Sequence, residues 1–277
     1  MQVIEMFSQS EMAAMTLTIE EKIAKAKAAL TRLFENGVPC VLAYSAGKDS
    51  SCCALLLLNT AKEFAAIGGT PFVVISNGQT LVENPEVTLH VESELRKMKR
   101  YAQKHGIRLI TNVATPGLAS TFQIKILSGR GIPSYAGGSN DCSIDLKVQP
   151  MIGARRKIFR LLKSEGLPEP VTILGTRFDE SEERKSKMLA RRDDADHPVL
   201  NKDGDLVLCP IATWSTDDVW EAIGMAASEL IDTYSDFAET KRIYGASMGT
   251  SCAVVADALY EGTNRPKGGG CGARLVI

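Results

Sequence analysis

The chain has 277 residues, and its 32 Lys+Arg against 33 Asp+Glu leave a net charge of −1, with 44% hydrophobic residues. That balance excludes intrinsic disorder, and it excludes a chain that grips nucleic acid by bulk positive charge. The longest unbroken apolar run, Cys52–Leu58, falls far short of the roughly 20 residues of a membrane span.

The opening MQVIEMFSQSEMAAM has two acids and no basic stretch, so no secretory signal is expected there. Seven cysteines stand at positions 40, 52, 53, 142, 209, 252 and 271. Their odd number, wide spacing and lack of any CxxC pair speak against a disulfide framework and leave no zinc site readable from spacing. A reducing, cytoplasmic setting is the expectation.

In chain order, Thr18–Asn36 reads as an amphipathic helix, with Thr18 as N-cap, Glu21 three residues on and Gly37 past its end. Val38–Tyr44 reads as a buried strand, Ser50–Phe64 as a strongly apolar helix, and Phe72–Ser76 as a second strand. Asn84-Pro85 opens a helix to about His105, and Ile107–Asn112 is a third strand. Thr115–Asn140 reads as loop with short helix, and Lys147–Glu165 as a basic amphipathic helix. Val171–Gly175 is a fourth strand, Glu180–Arg192 a charged helical stretch, Leu206–Ile211 a short strand, and a capped helix starts at Thr216.

Such alternation predicts a doubly wound α/β fold, with a mostly parallel sheet and helices on both faces. Residues 1–230 form its expected α/β domain, of which 1–17 are an N-terminal extension. Residues 231–277 form a C-terminal extension whose last part, Gly262–Ile277, is glycine-rich.

The segment Val41-Leu-Ala-Tyr-Ser-Ala-Gly-Lys-Asp-Ser-Ser51 lies at a predicted strand-to-helix turn. Backbone amides and the positive helix end can hold phosphate there. Ser45, Ser50 and Ser51 supply hydroxyls, and Gly47 allows close approach. Lys48 suits a phosphate and Asp49 a Mg²⁺ ion. The segment is neither a Walker A loop nor GxGxxG.

It resembles the SGGKDS signature of the ATP pyrophosphatase (PP-loop) superfamily, with Ala46 in place of the first glycine. Alanine is expected to serve there provided the backbone needs no positive φ. Three further segments resemble the phosphoadenylyl-sulfate (PAPS) reductase-like branch: Val73–Val87 (VVISNGQTLVENPEV), Asp141–Pro150 (DCSIDLKVQP) and Leu174–Ser186 (LGTRFDESEERKS). The TLVENP and DLKVQP versions are most similar to DNA phosphorothioation proteins of the DndC/SspD type.

The resemblance implies an adenine nucleotide alpha hydrolase-like fold and ATP cleavage between the α and β phosphates, with Lys48, Asp49 and Arg177 in catalysis. It places the nucleotide on Ser45–Ser51, Ile75, Ser76, Gly175, Arg177, Glu180 and Ser181. Backbone groups of Ile75 and Ser76 would read the adenine edge; Thr80, Glu83 and Asn84 suit either a helix cap or substrate contact. Asp141, Cys142, Asp145 and Lys147 would lie over the site, where Cys142 is either a sulfur-handling thiol or a buried structural one. The implied partners are a DNA substrate, a cysteine desulfurase as sulfur donor and other phosphorothioation proteins, with no membrane.

The family also implies an iron–sulfur cluster on C-terminal cysteines. Cys252 and Cys271 fall in that region, but the further cysteines expected downstream are absent. A cluster normally takes four thiolates, so no intact cluster is expected unless Cys142 or Cys209 completes the set. Cys40, Cys52 and Cys53 read as core. His90, His105 and His197 form no triad spacing. Trp214 and Trp220 read as packing residues. The basic residues of the Lys147–Glu165 helix suit either a phosphate-backbone patch or a solvated face. Rival readings are a PAPS or adenylyl-sulfate reductase, a tRNA thiolation enzyme and a non-catalytic nucleotide-binding regulator.

Overall fold

The computed structural model describes residues 17–130 and 144–248. Helix α1 (Ile19–Glu35) opens on the reciprocal cap legible in its sequence. Thr18 Oγ1 accepts from the Glu21 amide at 3.3 Å, and Glu21 Oε2 accepts from the Thr18 amide at 2.8 Å. There follow β1 (Cys40–Ala43), α2 (Lys48–Ala66), β2 (Phe72–Gly78), α3 (Pro85–Lys104) and β3 (Arg108–Ala114). Asn84 caps α3, its Oδ1 accepting from the Glu86 amide at 2.9 Å. The short α4 (Phe122–Leu127) comes next. A π-helical turn (Ile144–Val148) then runs into α5 (Gln149–Ser164). The rest is β4 (Val171–Ile173), α6 (Glu182–Arg191), β5 (Val199–Leu200), β6 (Leu206–Leu208), α7 (Thr216–Ala227) and α8 (Ala238–Met248).

The six strands form one sheet in the order β3-β2-β1-β4-β6-β5. Every pairing is parallel except β5 with β6. From β1 the chain winds outward through β2 to β3, then crosses to β4 on the other side. The carboxyl ends of β1 and β4 therefore flank a topological switch point, where open α/β sheets bind ligands.

Strand alternation divides the core between the two faces. Cys40, Leu42, Val73, Ile75, Val171 and Ile173 point to the face covered by α1, α2, α3 and α7. Val41, Phe72 and Val74 point the other way, onto Ile158 and Leu162 of α5. Helix α2 is central: every residue from Ser50 to Ala61 is buried, which its nearly continuous apolar sequence allows. The larger core continues past residue 230 and takes in Tyr234, Phe237 and Tyr244. The two-residue β5 and helix α8 have no counterpart among the predicted elements. α2 also starts two residues earlier than predicted, because Gly47 caps it without a side-chain bond.

Candidate functional site

The segment Ser45–Ser51 forms the turn between β1 and α2, at the switch point. Two of its serines brace the turn internally. The Ser45 amide donates to Ser50 Oγ at 3.2 Å, the two hydroxyls lie 3.1 Å apart, and Ser50 Oγ donates to Gly47 O at 3.0 Å. Ser51 is fully buried on the core side of α2. Ala46 has φ +59°. The condition set by the sequence, that alanine serve if no positive φ is needed, is therefore not met. The left-handed conformation costs an L-residue roughly 1–2 kcal/mol, and the buried turn holds Ala46 in it.

Beneath the turn lies a compact charge cluster. Lys48 Nζ donates to Asp49 Oδ2 at 2.7 Å and to Oδ1 at 3.0 Å; Arg177 Nε donates to Asp49 Oδ1 at 2.7 Å. The Lys48 and Arg177 side chains are each 1% exposed. Arg177 leaves the end of β4, and three further groups aim its guanidinium. Nη1 donates to Trp214 O at 3.2 Å and reaches Asp179 Oδ2 at 3.4 Å, while Nη2 donates to Thr216 Oγ1 at 3.2 Å. Two cations, Lys48 and Arg177, thus share Asp49, with Asp179 as a second and more exposed anion on Arg177, and the positive end of α2 adds a field suited to phosphate.

The same bonds bear on Asp49 as a magnesium ligand. Both its oxygens are committed to buried cations, so it does not fit as a free ligand for a divalent ion. Among the described residues no group of three or more His, Cys, Asp or Glu is placed to hold a metal.

Gly175 has a packing role. A Cβ there would lie 2.9 Å from the Asp49 carbonyl carbon and 3.0 Å from the Ser50 amide nitrogen. The missing side chain lets the chain after β4 close onto the start of α2. Glu180 pairs with Arg184, and Ser181 Oγ caps α6 by accepting from the Arg184 amide at 3.2 Å. These two residues organise α6, and neither bonds to the turn.

Beside the turn opens a cleft of ≈120 Å³, at the carboxyl ends of β1 and β2. Ser45 and Tyr44 form one side, Asn77, Gly78 and Gln79 the floor, Val87, Thr88 and Val91 of α3 another wall. Lys147 and Met151 close it from the α5 side. Ile75 and Ser76 sit one step back, inside the sheet, where Ser76 O accepts from the Tyr44 amide at 2.8 Å. At this strand end it is Asn77–Gln79 that line the cleft. Half-buried Lys147 has its pKa lowered by desolvation, partly opposed by the Glu83 carboxylate. Glu83 Oε1 accepts from the Thr80 amide at 2.8 Å and fixes the turn before α3.

Residues 39–236 match the phosphoadenosine phosphosulfate reductase domain. The chain belongs to that family. Solved structures are similar to this reductase-domain chain at low identity. The U34-tRNA thiolase NcsA from Methanococcus maripaludis is 16% identical over 81% of this chain and 70% of its own, with TM-score 0.44. NAD+ synthetase from Burkholderia pseudomallei is 14% identical over 81% and 74%, with TM-score 0.46. NMN synthetase from Francisella tularensis is 12% identical over 87% and 91%, with TM-score 0.42. No curated protein sequence matches.

Within this reductase-domain fold, four cysteines are described, and all are buried. Burial pushes the Cys40, Cys52 and Cys53 thiols well up, and Cys209 up to about 11. None of the four is poised as a thiolate. Cys142, Cys252 and Cys271, with Asp141, lie outside the described residues. No helix among the described residues is long and apolar enough to cross a membrane.

Sequence reasoning missed Asp179, Trp214 and Thr216 as supports of Arg177, and missed Tyr244, whose Oη accepts from the Lys48 amide at 3.1 Å. The Thr216–Asp217 start of a capped helix signalled Thr216. Nothing local signals a contact across 196 residues.

Proposed function

We propose that the chain binds ATP with its nucleoside in the cleft and its β and γ phosphates on the Ser45–Ser51 turn, and transfers the adenylyl group to an acceptor oxygen. That oxygen attacks the α phosphorus, the bond from the α phosphorus to the bridging oxygen breaks, and pyrophosphate leaves with the electron pair. The observation that carries this reading is the Lys48–Asp49–Arg177 cluster, buried under an amide-rich turn and adjoining the cleft at the ends of β1 and β2. The Lys48 ammonium, the Arg177 guanidinium and the end of α2 stabilise charge on the departing pyrophosphate, and the cleft orients the nucleoside. No acid–base triad is needed. Magnesium arriving on the nucleotide supplies further neutralisation of the phosphates.

The acceptor we propose is a backbone phosphate oxygen of DNA; the terminal sulfur of a cysteine desulfurase's persulfide then attacks that phosphorus, AMP leaves with the oxygen, and a second thiol cleaves the resulting S–S bond, ending as a disulfide with the desulfurase cysteine and leaving the phosphorothioate. Support comes from the TLVENP and DLKVQP resemblance and from α5. Arg156, Lys157, Arg160 and Lys163 are exposed along that helix, and its first turn lines the cleft. A second reading, an adenylyl-sulfate or PAPS reductase, is favoured by the family to which residues 39–236 belong. It requires a reactive cysteine, a role that the buried Cys40, Cys52, Cys53 and Cys209 do not suit and that would fall to Cys142, Cys252 or Cys271.

Pyrophosphate release from ATP, with and without DNA, tests the first reading, together with mass spectrometry for phosphorothioate dinucleotides in DNA from cells with and without the protein. Sulfite release from an adenylylated sulfate, with no pyrophosphate from ATP, would establish the reductase instead.

A further inference from the structure

The positive end of α2 already carries a ligand from its own chain. The Lys48 amide, the first of the helix, donates to Tyr244 Oη at 3.1 Å. A Cβ on Gly47 would sit 2.9 Å from that oxygen, so the hydroxyl is seated against the turn where only glycine admits it. The Tyr244 ring is buried and packs edge-on against Trp220, with centroids 5.6 Å apart and planes at 83°. Within Ser45–Ser51 only Ser45, Gly47 and Asp49 keep partial exposure.

Helix α8, which bears Tyr244, is tied to α3 at two points. His90 Nε2 and Thr240 Oγ1 form a buried hydrogen bond of 3.1 Å, and Arg242 Nη2 lies 3.1 Å from Glu86 Oε1. α3 in turn walls the cleft with Val87, Thr88 and Val91. Tyr244 also lies beyond the segment 39–236 that matches the family.

We propose that Tyr244 is a built-in competitor for the pyrophosphate end of the nucleotide, an inference that rests on the ATP reading above. The phenol oxygen holds the first amide of α2 as a neutral acceptor. A phosphoryl oxygen is charged, forms a bond roughly twice as strong, and is favoured further by the helix end. The nucleotide therefore takes the amide by exchange. Tyr244 withdraws, and α8 shifts against α3 as the cleft fills. Affinity is then set by the difference between two occupants of one amide.

Tyr244→Phe keeps the ring and its contact with Trp220 and deletes the competing oxygen. Calorimetric titration of the full chain with inorganic pyrophosphate and with the α,β-methylene analogue of ATP is expected to show about three- to tenfold tighter binding by the variant, the effect of losing one neutral hydrogen bond. Thr240→Val, which loosens α8 without touching the turn, is expected to shift affinity the same way and serves if Tyr244→Phe does not fold. Unchanged affinity would show that the hydroxyl does not compete. Weaker binding would make it a ligand of the phosphate; either result overturns the proposal and leaves the ATP reading standing. If neither wild type nor variant binds either compound at millimolar concentration, the ATP reading fails, and the competitor with it.

Discussion

Replacing Asp49 by alanine removes the one anion shared by two buried cations. Lys48 and Arg177 are each 1% exposed and each lies 2.7 Å from an Asp49 oxygen, while Asp49 itself is 13% exposed. Arg177 keeps Trp214 O and Thr216 Oγ1 at 3.2 Å and Asp179 at 3.4 Å. Lys48 loses the carboxylate it touches, and its ammonium is left without an anion in a dry setting. Breaking a buried pair by removing one partner costs about 3–5 kcal/mol. For a domain of this size each kcal/mol moves Tm by about 2–4 °C, so a fall of about 6–20 °C is expected. Thermal unfolding by circular dichroism and a urea midpoint measure it. Asp49→Asn keeps the shape and one acceptor and should lose less. Lys48→Met added to Asp49→Ala should recover part of the loss, because it removes the stranded ammonium. A loss below about 1 kcal/mol, the level of an exposed pair, or no recovery in the double variant, would refute this account of the cluster.

Gly175→Ala places a Cβ within 3.0 Å of the α2 backbone and should cost about 1–3 kcal/mol in chemical denaturation, while Ala46→Gly should stay within about 1 kcal/mol of wild type. There the relief of left-handed strain is offset by the loss of a buried methyl and a freer unfolded chain. His90 has its pKa lowered by burial, against the opposing pull of Glu94 and Glu239. The unfolded chain therefore binds the proton more readily, and stability falls as pH drops below the ordinary histidine value of about 6.5. His90→Gln should flatten part of that slope in urea midpoints measured from pH 7.5 to 5.5. Native protein at pH 8 should resist iodoacetamide at Cys40, Cys52, Cys53 and Cys209 by peptide mass spectrometry, and label all four once unfolded.

What the sequence made legible was local chemistry. The Thr18 and Glu21 cap, the Asn84-Pro85 helix start and the apolar run of α2 each depend on neighbours a few residues apart, and each stands where expected. The SAGKDSS segment was readable as a strand-to-helix turn for the same reason. The positive φ of Ala46 was not, because alanine gives no sign of a strained backbone and the strain is imposed by packing. Ser51 looked like a ligand by composition, yet the helical period turns it into the core. The aim of Arg177 depends on Asp49, Trp214 and Thr216, between 37 and 128 residues away. The Tyr244 contact spans 196. Such pairings leave no periodic trace. Helix α8 stayed hidden because its contacts to α3 and α7 fix it more than its own pattern does.

The order of the sheet also bears on how the protein comes into being on the ribosome. β1 is made early, but its second neighbour, β4, begins at Val171, and Arg177 meets Asp49 across 128 residues. Closing so long a loop is slow compared with forming the local β1–α2–β2 unit. A nascent chain that has emerged only as far as β3 would hold Lys48 and Asp49 without the Arg177 guanidinium and without the Gly175 backbone that closes onto α2. The Ser45–Ser51 turn thus gains its full surroundings late in synthesis, once the two halves have docked.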